Sequence, residues 1–104
     1  MKKCTLYVGL NDSQTKVQVM ETEQALEIVN HLLIDEFSLP GATIHTADGI
    51  YKHQDGHIVT EQTIVIILFD VPDYIIKEII DDLKIIFNQE SILKEVCFVD
   101  YTFV

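Results

Sequence analysis

Arginine is absent from this 104-residue chain, and its seven lysines stand against 17 aspartates and glutamates, which gives a formal net charge of −10 at pH 7. Sites that bind nucleic acid depend on clustered lysine and arginine at the phosphates. A surface of this charge repels a polyanion or an anionic membrane over about 10 Å. We therefore predict no nucleic-acid partner and no membrane partner, whereas cations, basic protein surfaces and neutral ligands remain acceptable.

Long apolar runs and closely spaced cysteines are also missing. The longest nearly apolar run, Ile64 to Phe69, is far below the roughly 20 residues that span a bilayer. Met1-Lys2-Lys3 leads into alternating residues, so we predict no signal peptide and a cytoplasmic location. Cys4 and Cys97 lack a metal-binding or redox spacing, and we expect both to be small buried thiols.

The composition is that of a globular protein, with 48% apolar and 23% charged residues. A chain of this length fits one core, so residues 1–104 are predicted to form a single domain. Alternation of apolar and polar residues predicts strands. They are expected at Cys4–Leu10, Ala42–Lys52, Gln62–Phe69 and Ile92–Val104, with a short extended piece at KVQVM (16–20).

Helical spacing of apolar residues predicts two helices between these strands. The first is expected to be capped by Thr22 and to run to Phe37, ahead of Pro40-Gly41. The second begins at Pro72 and ends near Asn88. The order βαββαβ predicts an α+β, ferredoxin-like plait, in which an antiparallel sheet of order 4-1-3-2 carries both helices on one face.

This topology brings three segments that are distant in sequence to one rim of the sheet. They are NDSQTK after the first strand, KHQDGH between the second and third strands, and NQES before the last strand. Polar groups that converge in loops are typical of binding sites. The candidate ligand- or partner-binding residues are Asn11, Asp12, Lys16, Lys52, Gln89, Glu90 and Ser91.

The third and last strands carry apolar residues on both sides. Val65 and Ile67 alternate with Ile64 and Ile66, although helices cover one face of such a sheet. An apolar sheet face left in water favours association. We therefore predict a homo-oligomer, a dimer or trimer formed through the sheet face. The alternative is that KVQVM or the C-terminal tail covers that face.

Three segments resemble a small bacterial family that is known as a domain of unknown function. They are Leu6-Tyr7-Val8-Gly9-Leu10, the stretch from Gly49 to Glu61 with D-G-H-I-V-x-E, and F-N-Q-E-S-I-L from Phe87 to Leu93. The resemblance implies a compact ferredoxin-like domain and no particular activity. More distantly, the order of elements resembles PII-like signalling proteins and their metal-associated trimeric relatives. The short hairpin and the lack of arginine depart from the nucleotide-binding pattern of PII proteins.

The histidines at the predicted hairpin are the candidate metal ligands. His53 and His57 flank an Asp-Gly turn, and Asp55 or Glu90 could supply a third ligand. Because zinc sites need three or four ligands, we favour an exposed hairpin over a metal site, and we predict no cofactor. Glu27, His31 and Asp35, spaced four residues apart, are interpreted as a solvated helix face.

No nucleophile–base signature, glycine-rich phosphate loop or H-E-x-x-H motif occurs. We therefore predict a non-enzymatic, oligomeric, PII-like regulatory domain that binds a small molecule or a protein at the rim. Two alternatives stay open. One is a metal-binding trimer that uses His53 and His57, and the other is a cofactor-independent enzyme with a cavity between subunits.

Overall fold

The computed structural model describes residues 1–52 and 54–104. In chain order the elements are β1 (Lys2–Gly9), α1 (Thr22–His31) with a π-helical continuation (Leu32–Glu36), β2 (Thr43–Lys52), β3 (Ile58–Phe69), α2 (Asp73–Ile86) and β4 (Leu93–Phe98). All neighbouring strands are antiparallel, in the order β2-β3-β1-β4. This is the predicted order read from the opposite edge, and the predicted α+β plait is confirmed.

The core lies between one face of the sheet and the two helices. Leu6 pairs with Ile66 and Val8 with Ile64, so their side chains share the face that the helices cover. Each of these four residues is completely buried. α1 and α2 close the core with apolar residues at helical spacing, chiefly Ala25, Val29, Ile76, Ile79 and Leu83. We call the opposite side of the sheet the open face.

The first helix begins and ends differently from its prediction. Thr22 does not cap the helix, because Glu21 is the N-cap residue and the Thr22 hydroxyl accepts a hydrogen bond from Gln18 Nε2 at 3.0 Å. The last turn widens to a π-helix, in which the Phe37 amide donates to the Leu32 carbonyl at 3.0 Å. The KVQVM piece contributes a single isolated bridge, from Gln18 to Asn11.

The third strand starts four residues earlier than predicted. β1 ends where Gly9 pairs with Thr63, whereas β2 and β3 continue to pair as far as Lys52 with Ile58. Residues 49–52 and 58–61 therefore form a two-stranded ribbon beyond the end of β1, which we call the hairpin arm. Its apolar alternation is weak because no helix covers it, and Ile58 is 63% exposed. At the tip, Gly56 adopts the expected left-handed conformation (φ 94°).

The last strand is much shorter than predicted. Phe98 pairs with Lys2, the first residue of β1, so β4 has no strand to pair with beyond that point. The chain then turns away, and the Tyr101 ring packs on Phe69 with ring centroids 4.8 Å apart. The tail therefore covers one end of the open face. Val19, in the other segment considered as a cover, is 71% exposed.

The two cysteines occupy different environments. Cys4 is buried in the core, as expected, and burial raises the pKa of its thiol. Cys97 is exposed, so the expectation of a buried thiol is wrong there. The reason is that β4 is an edge strand and Cys97 pairs with Lys3 on the open face. Among the described residues, no helix has the length and apolarity to cross a membrane.

Candidate functional site

Two of the three predicted rim segments, NDSQTK and NQES, meet around a cavity of about 160 Å³, which we call the rim cavity. Among the described residues of KHQDGH none lines it, and the strands of the hairpin arm form the third wall instead. The loop after β1, the base of the hairpin arm and the α2–β4 connection each form one wall. The structure thus brings together six of the seven candidate residues, and Lys52 lies outside the lining. The lining residues are Asn11, Asp12, Ser13, Lys16, Tyr51, Val59, Glu61, Gln89, Glu90 and Ser91. That these residues bind a ligand stays a prediction.

Glu61 is the acidic side chain that the hairpin arm contributes to this cavity. Its Oε2 accepts a hydrogen bond from the Asn11 amide at 2.9 Å, and the Tyr51 hydroxyl donates to its Oε1 over a longer 3.4 Å. The carboxylate lies against Gly9, where an added Cβ would come within 2.5 Å of the Glu61 Cδ. Glycine in β1 therefore makes room for the carboxylate on the open face.

Tyr51 lies beside Glu61 on the arm and contributes a phenol to the cavity wall. Burial, and then the charge of the nearby Glu61 carboxylate, raise the pKa of Tyr51 above its ordinary value. The phenol, which is protonated at neutral pH even at its ordinary pKa, donates its hydrogen to Glu61. Neither Tyr51 nor Glu61 is among the residues predicted to bind. The only sequence signals for them are the E of the D-G-H-I-V-x-E segment and the glycine near the end of the first predicted strand, at position 9.

Asp12 organises the loop that follows β1. Its Oδ1 accepts the amide hydrogens of Gln14 and Thr15 at 2.9 and 3.0 Å, and its Oδ2 accepts from Asn88 Nδ2 at 2.8 Å. Hydrogen bonds from Asn88 first, and then from the two amides, lower the pKa of the Asp12 carboxyl. Asp12 therefore lines the cavity as the residue that closes this loop and ties it to the end of α2.

Gln89 connects the α2–β4 corner to the same loop. Its Nε2 donates to the Asn11 carbonyl at 2.6 Å and to the Phe87 carbonyl at 3.2 Å. Glu90 and Ser91 follow it in the cavity wall, and both are exposed. The amide of Gln89 thus has a structural role, and the carboxylate and hydroxyl of its two neighbours face the solvent side of the site.

The two predicted lysines differ in position. Lys16 lines the cavity with a left-handed backbone (φ 64°), and its ammonium donates to the Ser13 carbonyl within the loop. Lys52 is next to Tyr51 in β2 and pairs with Ile58. Because successive strand residues point to opposite faces, Lys52 lies on the other side of the arm from the cavity.

The proposed histidine metal site is only partly covered by the structure, because His53 lies outside the described residues. His57 is exposed, and its Nδ1 hydrogen-bonds the Asp55 carboxylate in the turn. Within residues 1–52 and 54–104, no three His, Cys, Asp or Glu side chains group in a way that could hold a metal ion. His31 and Asp35 form an exposed pair on α1, at 2.8 Å.

Comparison with known proteins identifies the family of this fold. A family model described as "Protein of unknown function (DUF3574)" matches residues 3–103, so the chain belongs to this family. None of the curated proteins matches it.

Solved structures with a similar fold include a phage SAM lyase and CutA proteins. A phage SAM lyase in complex with S-methyl-5'-thioadenosine is 23% identical, with a TM-score of 0.66, over 92% of this chain and 79% of that chain. The periplasmic divalent cation tolerance protein CutA from Archaeoglobus fulgidus is 12% identical, with a TM-score of 0.62, over 97% of this chain and 87% of that one. CutA1 from Ehrlichia chaffeensis is 17% identical, with a TM-score of 0.56, over 96% and 83%. Identities this low show a shared fold alone.

Proposed function

We propose that the chain is a non-enzymatic, PII-like regulatory domain, located in the cytoplasm, that binds a small molecule or a peptide group at the rim cavity. The proposal is supported by the Glu61 carboxylate, which Asn11 and Tyr51 hydrogen-bond, and for which Gly9 leaves room, at the junction of three distant segments. A volume of about 160 Å³ is below the roughly 300 Å³ of a typical ligand pocket. The cavity therefore suits a compact ligand or one end of a larger one.

The binding site can be tested by titrating a soluble fragment library into ¹⁵N-labelled protein and following its amide spectrum. We expect fragments that bind to shift the amides of the rim cavity first. Glu90→Ala should weaken their binding severalfold and leave the thermal midpoint nearly unchanged, because Glu90 is exposed. Glu36→Ala, which removes the same charge from the exposed end of the π-helical turn, is the control. Hits that shift other surfaces, or a large loss of stability in Glu90→Ala, would contradict the site.

We further propose that the chain forms a homo-oligomer, a dimer or trimer, through the open face. Leu93 pairs with Tyr7 on this face and is 66% exposed, and Phe69 is 42% exposed despite its contact with Tyr101. β4 also leaves one strand edge without a neighbour in the sheet. Apolar side chains beside an unpaired edge favour docking of a second copy.

Light scattering coupled to size-exclusion chromatography tests the assembly. We expect more than one chain per particle at micromolar concentration. Leu93→Glu should produce monomers, whereas Ile85→Glu, at a still more exposed apolar position on α2, should not. A monomeric wild-type protein would end this proposal.

A lyase activity is the second candidate, because the phage SAM lyase shares the fold over 92% of this chain. Such an enzyme would need no cofactor, and a cavity between subunits would enclose the substrate. Incubation with S-adenosylmethionine, followed by chromatography for S-methyl-5'-thioadenosine, is the direct assay. Product formation that Glu61→Gln abolishes would favour the enzyme over the binding domain. An unchanged substrate would exclude this activity.

A further inference from the structure

We propose that the rim cavity selects a ligand with a positive charge, such as an alkylammonium or sulfonium group. This inference rests on the proposed function, since it concerns the ligand of the same site. It follows from the hydrogen bonds of the loop after β1, the charges of the lining residues and the contacts of Glu61.

A negatively charged ligand would need hydrogen-bond donors from the loop after β1. Backbone N–H groups in a loop form an anion site when they point together at a shared position. Here the amides of Asn11 to Lys16 already have acceptors within the protein. In chain order these acceptors are Glu61 Oε2, the Val17 carbonyl, the Asn88 carbonyl, Asp12 Oδ1 twice and the Asp12 carbonyl. The loop therefore has no set of amides to offer an anion.

The formal charge of the lining residues favours a cation. The described lining residues include three carboxylates, those of Asp12, Glu61 and Glu90, and one ammonium, that of Lys16, for a formal charge of −2. The Lys16 ammonium donates to the Ser13 carbonyl, so even this cation is turned toward its own loop. A ligand cation would lower the repulsion between the carboxylates, whereas a ligand anion would add to it.

The Glu61 carboxylate is already fixed in position before a ligand binds. The Glu61 carboxylate is held by a donor on each oxygen, the Asn11 amide on Oε2 and the Tyr51 hydroxyl on Oε1. Each carboxylate oxygen has a second lone pair, so both can accept a further hydrogen from a ligand. An acceptor that is already fixed loses little conformational entropy on binding. Hydrogen bonds between two charged groups are also the stronger kind. Glu61 is therefore the residue that we expect to meet the ligand cation.

The test uses two probes of equal chain length and opposite charge, n-butylammonium and pentanoate, each titrated into ¹⁵N-labelled protein at constant ionic strength. We expect n-butylammonium to shift the amides of Asn11, Glu61 and Ser91 saturably, and pentanoate to leave them unchanged. Glu61→Gln keeps the size of the side chain and removes its charge, and should weaken the cation by about tenfold. Glu78→Gln on α2 removes one charge from an exposed position away from the cavity and should have no effect.

Each contrary result has a distinct meaning. Rim shifts with pentanoate but not with n-butylammonium, or equal shifts with both, would overturn the charge selectivity and leave the rim site standing. A loss of affinity in Glu78→Gln as large as in Glu61→Gln would show that the net charge of the protein attracts the cation, which also overturns the inference. Rim amides that respond to neither probe would remove both the selectivity and the proposed site.

Discussion

Replacing Gly9 with alanine should destabilise the protein when Glu61 is present and stabilise it when Glu61 is absent. An alanine Cβ at this position would come within 2.5 Å of Glu61 Cδ and Oε2. The carboxylate is the far end of a flexible side chain, so it can move away. In doing so it gives up its 2.9 Å hydrogen bond from the Asn11 amide.

The size of the effect follows from two opposing contributions. A hydrogen bond to a charged group contributes about 1.5–3 kcal/mol, and the partial exposure of Glu61 favours the lower end. Alanine in a strand is about 0.5–1 kcal/mol more favourable than glycine. Gly9→Ala should therefore cost about 1 kcal/mol in the wild-type protein. In a Glu61→Ala background the same change should stabilise by about 0.5–1 kcal/mol.

Urea unfolding at 25 °C, followed by circular dichroism, measures all four members of this double-mutant cycle. One protein concentration should be used throughout, since assembly would make stability depend on concentration. The coupling between positions 9 and 61 should be about 1.5–2 kcal/mol by these figures. If Gly9→Ala changes stability equally in both backgrounds, the carboxylate does not occupy the space above Gly9, and the account of the rim cavity is wrong.

Three further predictions concern the tail, the thiols and the loop. The Tyr101 hydroxyl, and then the Lys2 amide, hold the pKa of the Asp70 carboxyl below its ordinary value, so their stabilising effect is present above pH about 4 and lost as pH falls through the lowered pKa. The difference in urea midpoint between wild type and Tyr101→Phe should therefore be full at pH 7 and shrink toward pH 2; a constant difference would contradict it. A thiol reagent should label Cys97 in the folded Leu93→Glu monomer and reach Cys4 only on unfolding, and prompt labelling of both would refute their placement. Asp12→Asn should speed hydrogen exchange at the Gln14 and Thr15 amides, which donate hydrogen bonds to the Asp12 carboxylate, without effect on the hairpin arm. Unchanged exchange would show that the loop closes without this carboxylate.

Much of the fold could be predicted because its elements depend on local periodicity. Apolar residues alternate through β1 and recur at helical spacing in α2, and these patterns establish the order βαββαβ. The boundaries depend on partners instead. β4 stops at Phe98 because β1 starts at Lys2, and the early start of β3 at Ile58 depends on pairing with Lys52. Neither partner can be identified from alternation within the strand itself.

The candidate site was also predicted only in part. Topology alone brings the loop of Asn11, the arm and Gln89 to one rim, and the structure places them around one cavity. Tyr51 was not predicted because it lies inside the predicted second strand, where an alternating pattern is explained by pleating alone. Glu61 was not predicted because it lies between KHQDGH and the predicted start of the third strand at Gln62. Their importance depends on register, which puts Thr63 opposite Gly9 and so places the Glu61 carboxylate beside the glycine. An acidic residue in a strand becomes notable only when its cross-strand neighbour is known.

The hairpin arm gives the rim cavity two walls of unequal stiffness. Tyr51 and Glu61 belong to a ribbon of two strands, whereas Gln89 and Glu90 follow directly from α2, which is packed on the core. A two-stranded ribbon bends more readily than a sheet of four. A ligand that contacted both Glu61 and the α2 side of the cavity would restrict bending at the base of the hairpin arm. Ligand binding in the cavity would then change the orientation of the arm and of its tip around Gly56. Another protein that contacts the tip could thereby detect the bound ligand.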